Sequence, residues 1–393
     1  MVHGTFSDGK LTTNINSELN KTVLDVFVKF GAPEEILYLT KPHIGTDNLR
    51  RLVKNMREEI IRLGGEVRFN SKVVDFEISE ETDACSGAKH ISSVILENGE
   101  RMNTNNVILA IGHSARTTFE KLYEHKVKME PKPFSVGVRI EHLQTAINES
   151  QYGTQTSLKL PPAEYKLAYH GEDGRSCYTF CMCPGGFVMA SSSEEGTIVT
   201  NGMSYYNRDG ENANSALLVN IMPEDYMNKY EDNNPLNGVK FQKELEEKAF
   251  KMAGENYNAP AQRVGDYITN RSGTQYALSS VPQVAPSPTY KPGITYCNLN
   301  ELFPEYINKT LKEGIKYFGT KINGFDDDNA ILTAVESRSS SPVRILRDEF
   351  MNSNIVGIHP CGEGAGYAGG IMTSAIDGIK VAKAIVAATG GRQ

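Results

Sequence analysis

Residues 354–385 read NIVGIHPCGEGAGYAGGIMTSAIDGIKVAKAI, a strand-like apolar run, a glycine-rich turn and a helix. Five glycines (Gly362, Gly364, Gly366, Gly369 and Gly370) fall within nine residues just before the helix. Glycine lets backbone approach a ligand closely, and the first N–H groups of a helix have no partner inside it. Together with the helix dipole, those donors favour negative charge. Glu363 could accept hydrogen bonds from a hydroxylated chain. The same strand, glycine and helix also describe a turn built only for close packing, so the segment alone leaves both readings open. The helix is expected to bury Ile371, Ala375, Ile379, Ala382 and Ile385.

Working outward, the run NNVILAIGH (105–113) is apolar from Val107 to Ile111 and closes at Gly112. It reads as a buried parallel strand whose C-terminal end opens onto a ligand. Ahead of it lie two helix-like segments. LNKTVLDVFVKF (19–30) has Leu19, Val23, Val26, Phe27 and Phe30 on one stripe, and Gly31 stops it. GTDNLRRLVKNMREEIIRLGG (45–65) repeats Leu49, Leu52, Val53, Met56, Ile60 and Leu63 at helical spacing,. Thr46 or Asp47 can cap its start, and Gly64-Gly65 its end. EVRFN (66–70) and KVVDFEI (72–78) read as strands, and ISSVILENGERM (91–102) as a hairpin turned at Asn98-Gly99.

Composition changes near Pro131. From there to about Ile331 the chain is richer in Pro, Tyr, Asn and Ser, with short strands such as FSVGVRIE (134–141), YKLAYHG (165–171) and SCYTFCMC (176–183). Helices are expected near 241–253 and 304–318, the second with Ile307, Leu311, Ile315 and Phe318 on one stripe. The fold predicted is α/β: residues 1–130 and 332–393 form one domain, and 131–331 a mixed α+β domain inserted into it.

Length and composition bound the possibilities. The chain has 393 residues, 39% apolar and 23% charged, with a net charge of -7. That supports hydrophobic cores for two domains and counts against a nucleic-acid surface. No run approaches the roughly 18 apolar residues of a membrane span. The N-terminus has no signal or transit pattern, so a cytoplasmic setting is the default, and an oligomer is left open. Six cysteines (85, 177, 181, 183, 297 and 361) are too sparse for a disulfide scaffold,. Cys177, Cys181 and Cys183 share strand parity and are expected on one face. Adjacent same-face side chains lie about 7 Å apart, too far for an unstrained bond. No metal site is expected, since no His completes a zinc pattern.

GEGAGYAGGIMTSAIDGIKVAKAI resembles the C-terminal FAD motif of flavoproteins of the glutathione-reductase type, and NNVILAIGHSAR their second signature. TFSDGKLTT, KPHIGTDNL, CMCPGG and VESRSSSPVRI are closer still to the uncharacterised bacterial FAD-dependent (NAD(FAD)-utilising) dehydrogenases, over nearly the whole chain; Ser339 stands where that pattern has Thr. The resemblance implies an FAD/NAD(P)-binding Rossmann-like domain. It implies cofactor contacts at Ser7, Asp8, Lys10, Val74 (through backbone, to adenine), Ala110, Gly112 and His113. At the glycine turn it adds Gly362, Glu363 (to ribityl), Gly366, Tyr367, Gly369, Gly370 and Ile371. Lys10 and Arg338 are the catalytic candidates; Arg344 and the serines of 335–345 could hold a substrate or the flavin. NAD(P)H is a candidate electron donor to a small-molecule substrate. Family members carry an N-terminal G-x-G-x-x-G unit for the diphosphate, and MVHGTFSDGK contains none,. The Rossmann-like domain is thus expected to be incomplete. Two further readings follow: a truncated, non-catalytic chain without FAD, and FAD-assisted RNA modification, which the acidic balance opposes.

Overall fold

The computed structural model describes residues 7–13, 15–79, 89–154, 160–230, 232–271 and 285–390, so Cys85 and the polar loop after Ser79 lie outside the described residues. The chain is mixed α/β, with several separate sheets.

The largest sheet has seven strands, in the order 294–296, 259–263, 331–336, 134–143, 212–221, 176–183 and 168–170. Its two central strands, Phe134–Leu143 and Asn212–Ile221, pair antiparallel without interruption over ten residues each. Both faces are covered. Phe134, Val136, Val138 and Ile140 point to one side, where Ile307, Leu311, Ile315 and Phe318 of the helix Glu305–Gly319 complete the core. The predicted stripe of that helix is fully buried. Each such side chain contributes about 1.5–3 kcal/mol of transfer free energy.

The opposite face is polar. Arg139, fully buried, makes two bonds to Glu336 (2.7 and 2.9 Å), one to Asn214 (2.8 Å) and one to the carbonyl of Cys181 (3.0 Å). The hairpin 186–190/200–204 closes over it, and Gly202 lies so near that a Cβ there would sit 2.0 Å from the guanidinium. Cys177 and Cys183 are buried but Cys181 is exposed, against the expectation of one shared face. A bulge explains the difference: Asn214 pairs with Cys183 and Ala216 with Phe180, and Cys181 adopts a left-handed φ of 43°,.

The remainder is built from shorter pieces. Strand Val73–Ile78 pairs with Lys89–Leu96, which also pairs with Arg101–Asn103 across the expected Asn98-Gly99 turn. EVRFN forms no strand: Phe69 is exposed and Asn70 has φ 53°. The NIVGIH run is split by Gly357 (φ 85°). Ile355–Val356 joins the 89–96 strand, and Ile358–Pro360 lies parallel to Val107–Leu109. That last strand is not buried as predicted, since Ile108 is 46% exposed.

Helices Leu19–Lys29, Thr46–Arg62 and Ile371–Ala388 share a third core with Leu11, Ile36 and Ile44. Two expectations fail in it. The 46–62 helix buries only Leu49 and Leu52 of its apolar stripe, leaving Ile60 50% and Leu63 69% exposed. Its cap also differs: Gly45 precedes the helix without a side-chain cap, and Asp47 instead accepts from the Tyr206 N–H. In the closing helix the fully buried residues are Met372, Ile376, Asp377 and Val381, while Ile371, Ala375 and Ile379 of the expected stripe are half-buried against the same core and Ala382 is exposed. Apolar side chains on every face of that helix left its orientation to tertiary contacts. No helix among the described residues is long and apolar enough to cross a membrane.

Candidate functional site

The glycine turn is held from three directions. Below it, Asp377 on the closing helix accepts from the Gly362 N–H (2.7 Å) and receives both arms of Arg347 (2.7 and 2.9 Å). Arg347 also donates to the Pro360 carbonyl (2.7 Å) and stacks on the Tyr367 ring at 3.7 Å. Burial alone would push the Asp377 carboxyl up; Arg347 and the Gly362 amide outweigh it and hold Asp377 below the usual range,. Above the turn, Gly364 packs on Gly112, where a Cβ would stand 2.4 Å from the Gly112 carbonyl. At the side, Gly366 (φ 85°) lies against Val343 and Arg344, and the Ser341 hydroxyl bonds the Gly364 carbonyl at 3.0 Å.

This arrangement joins the two motifs read from sequence. Gly112 meets Gly364, and the His113 ring nitrogen stands 3.4 Å from Glu363. That separation meets a distance criterion for an ion pair, yet neither His113 nitrogen makes a hydrogen bond, and both are buried, as is the unpartnered hydroxyl of Ser114. At 3.4 Å the contact is long for a charge-assisted hydrogen bond, and His113 stands unbonded beside Glu363,. The helix start itself is open. Gly369 and Gly370 are exposed, no atom lies within 4 Å of where their Cβ atoms would be, and the same holds at Gly112. The Gly370 cap position has no side-chain bond, while the Gly369 N–H is taken by Thr373. Ile371 is half-buried and leads the helix.

The other predicted residues are distributed more widely. Ala110 follows the 107–109 strand and its N–H bonds the Ile108 carbonyl. Val74 falls at a bulge, where the register skips from Val73 to Asp75 and leaves it without a ladder partner,. Ser7 accepts from Gly9; Asp8 is buried against Arg208 (3.0 and 2.5 Å); Lys10 reaches Glu164 at 3.4 Å and bridges to His43. No hydrogen bond or ion pair among the described residues joins this segment to the glycine turn.

Arg338 is turned to a different task. With Arg116 it surrounds the buried Glu246 at 2.7–3.0 Å, and it also reaches Ser193. Its guanidinium is committed to this buried cluster. His359 is likewise committed, to Asn106 and the Met351 carbonyl. Asp377, Arg347, Lys132 and Ser341 escaped individual assignment by sequence reasoning. Asp377, a lone acid within an apolar helix, was the one visible hint.

A family model described as "FAD-dependent protein, C-terminal domain-like" matches residues 133–339, the span of the seven-stranded sheet. An uncharacterised protein of Clostridium beijerinckii is 48% identical over 386 residues, which cover 98% of this chain and 69% of the relative. The chain belongs to the FAD-dependent protein family. For this family member, the glycine turn can be tested against the cofactor. Open space at Gly112, Gly369 and Gly370, and buried unpartnered polar atoms at His113 and Ser114, are what a flat, hydrogen-bonding ligand needs,. The residues present fit.

Proposed function

We propose that the protein is a flavin-dependent oxidoreductase that holds FAD at the glycine turn, in a Rossmann-like domain of the glutathione-reductase type. The observation that carries this is the unplugged start of the closing helix beside His113 and Ser114. Bound there, FAD supplies two-electron chemistry, taking a hydride from a donor and passing the electrons on. The chain's own groups do the rest. The exposed amides at Gly370 and Ile371 favour negative charge. Glu363 accepts hydroxyl hydrogen bonds, and the Arg347–Asp377 pair keeps the turn in shape. The large sheet, packed against the turn's rim, forms the substrate side. NAD(P)H as donor, a small-molecule substrate, self-association, a cytoplasmic setting and the absence of nucleic acid belong to the same proposal.

Strand 107–109 pairs along one edge with 358–360. Ile108 in it is exposed, as are Val53, Ile60 and Ile61 on the 46–62 helix and Leu63 just after it, leaving apolar side chains uncovered,. The same surface favours a second reading, a chain that binds no FAD and serves as an interaction module. Adding FAD to the purified 393-residue chain decides between them. A saturable change in the flavin absorption spectrum, with one FAD per chain, is expected. An unchanged spectrum overturns the flavin reading and leaves the second.

A further inference from the structure

The rim of the glycine turn carries two cationic side chains, Lys132 and Arg344, each with donors to spare. Strand Met129–Pro131 pairs antiparallel with Val343–Ile345, bringing Pro131 opposite Val343 and Glu130 opposite Arg344. The ribbon continues one residue further, as the Lys132 N–H bonds the Pro342 carbonyl (2.9 Å) and the Tyr226 hydroxyl bonds the Lys132 carbonyl (3.2 Å). Lys132 is therefore fixed in backbone, on the strand pair against which Gly366 packs.

Its ammonium is not similarly satisfied. The acceptor it finds is the carbonyl of Pro133, at 3.5 Å, and no carboxylate of the described residues forms an ion pair with it. Of the acids around the turn, Asp377 is held by Arg347 and Glu130 lies 3.6 Å from Arg344, while Glu363 attracts Lys132 without forming an ion pair with it. Beside Lys132, the Arg344 Nε is buried without an acceptor. Burial, with the like charge of Arg344, pulls the Lys132 amine below its ordinary range despite the attraction of Glu363,. A half-buried cation whose one long bond leaves donors to spare gains from any anionic acceptor that enters,.

We infer that Lys132 and Arg344 form a cationic rim that binds an anionic acceptor lodged at the glycine turn. This rests on the flavin reading above. The acceptor is either the electron-rich edge of the reduced flavin or the carboxylate of a substrate, and both present the same chemistry to the rim.

The test uses the full chain with FAD added, comparing wild type with Lys132→Gln, Lys132→Arg and Arg344→Gln. Thermal unfolding verifies that each variant folds. Two quantities are read: the flavin midpoint potential, and the binding of benzoate as an anionic probe, followed by its perturbation of the flavin spectrum. If the rim serves the flavin, Lys132→Gln makes the potential more negative and Lys132→Arg restores it. If it serves a substrate carboxylate, the potential holds while benzoate binding weakens on the order of tenfold, the scale of one charge-assisted hydrogen bond. Wild-type potential and benzoate affinity in Lys132→Gln and Arg344→Gln alike overturn the inference and leave the flavin reading standing. A wild-type chain that takes up no FAD overturns both.

Discussion

The seven-stranded sheet and the glycine-turn region handle buried surface in opposite ways. In the sheet, ten-residue strands are covered on both faces, and even its charges, Arg139 with Glu336 and Glu246 with Arg116 and Arg338, are sealed inside with partners. Around the glycine turn, strands are two or three residues long, and apolar side chains of the 46–62 helix face outward. The first region is stabilised by its own packing. The second leaves open space at Gly112, Gly369 and Gly370, as a region that gains stability from a ligand would,.

The contrast can be broken most sharply at Glu246. Glu246→Gln removes the charge shared by two buried guanidinium groups and is expected to cost about 3–5 kcal/mol in denaturant unfolding, because it leaves both without a full counter-charge. Burial pushes the Glu246 carboxyl up, but Arg338 and Arg116 outweigh it and hold it below the ordinary value. A depressed folded-state value means this stability is complete above the unfolded carboxyl pKa and is lost as pH falls through the folded one. The variant should therefore show a flatter acid limb; a wild-type stability profile would contradict the pairing.

Leu311→Ala, in the sheet's helical cover, should cost about 2–5 kcal/mol. Its counterpart Ile60→Ala, on the exposed stripe, should stay within about 0.5 kcal/mol. Equal costs at the two positions would erase the distinction drawn between the regions.

At the turn, Gly364→Ala should destabilise by about 1–3 kcal/mol, since the new Cβ meets the Gly112 backbone,. Gly369→Ala has open space and should leave stability within about 0.5 kcal/mol,, yet weaken FAD uptake measured by absorption titration. Unaltered FAD affinity in Gly369→Ala would count against a ligand at this helix start. The smallest expected effect is at the apolar stripe: replacing Ile60 and Leu63 with Gln should leave unfolding almost unchanged while reducing self-association in sedimentation.

The difference between the regions also governed how well they could be read. The 305–319 helix was legible because Ile307, Leu311, Ile315 and Phe318 repeat against a polar background, so one face could be buried. The Asn98-Gly99 hairpin was legible because Gly99 takes φ 85°. The closing helix was legible in part: Ile371, Ala375 and Ile379 pack half-buried against the core, but its apolar residues surround it, and packing rather than periodicity chose Met372, Ile376 and Val381 for full burial. The cysteines of 177–183 misled because a bulge at Cys181 breaks the alternation that parity assumes.

Local chemistry in the chain determined where backbone could come close and where helices would start: the glycines of 362–370, the strand before Gly112, and the apolar stripe of 305–319. Those properties depend on residue types a few positions apart. Which charges meet was settled in three dimensions alone. Arg338 was drawn to Glu246, 92 residues away in sequence. Lys132 came to the glycine turn through strand pairing with 342–345. An ion pair forms wherever folding brings opposite charges out of water together, and sequence distance carries no record of that encounter.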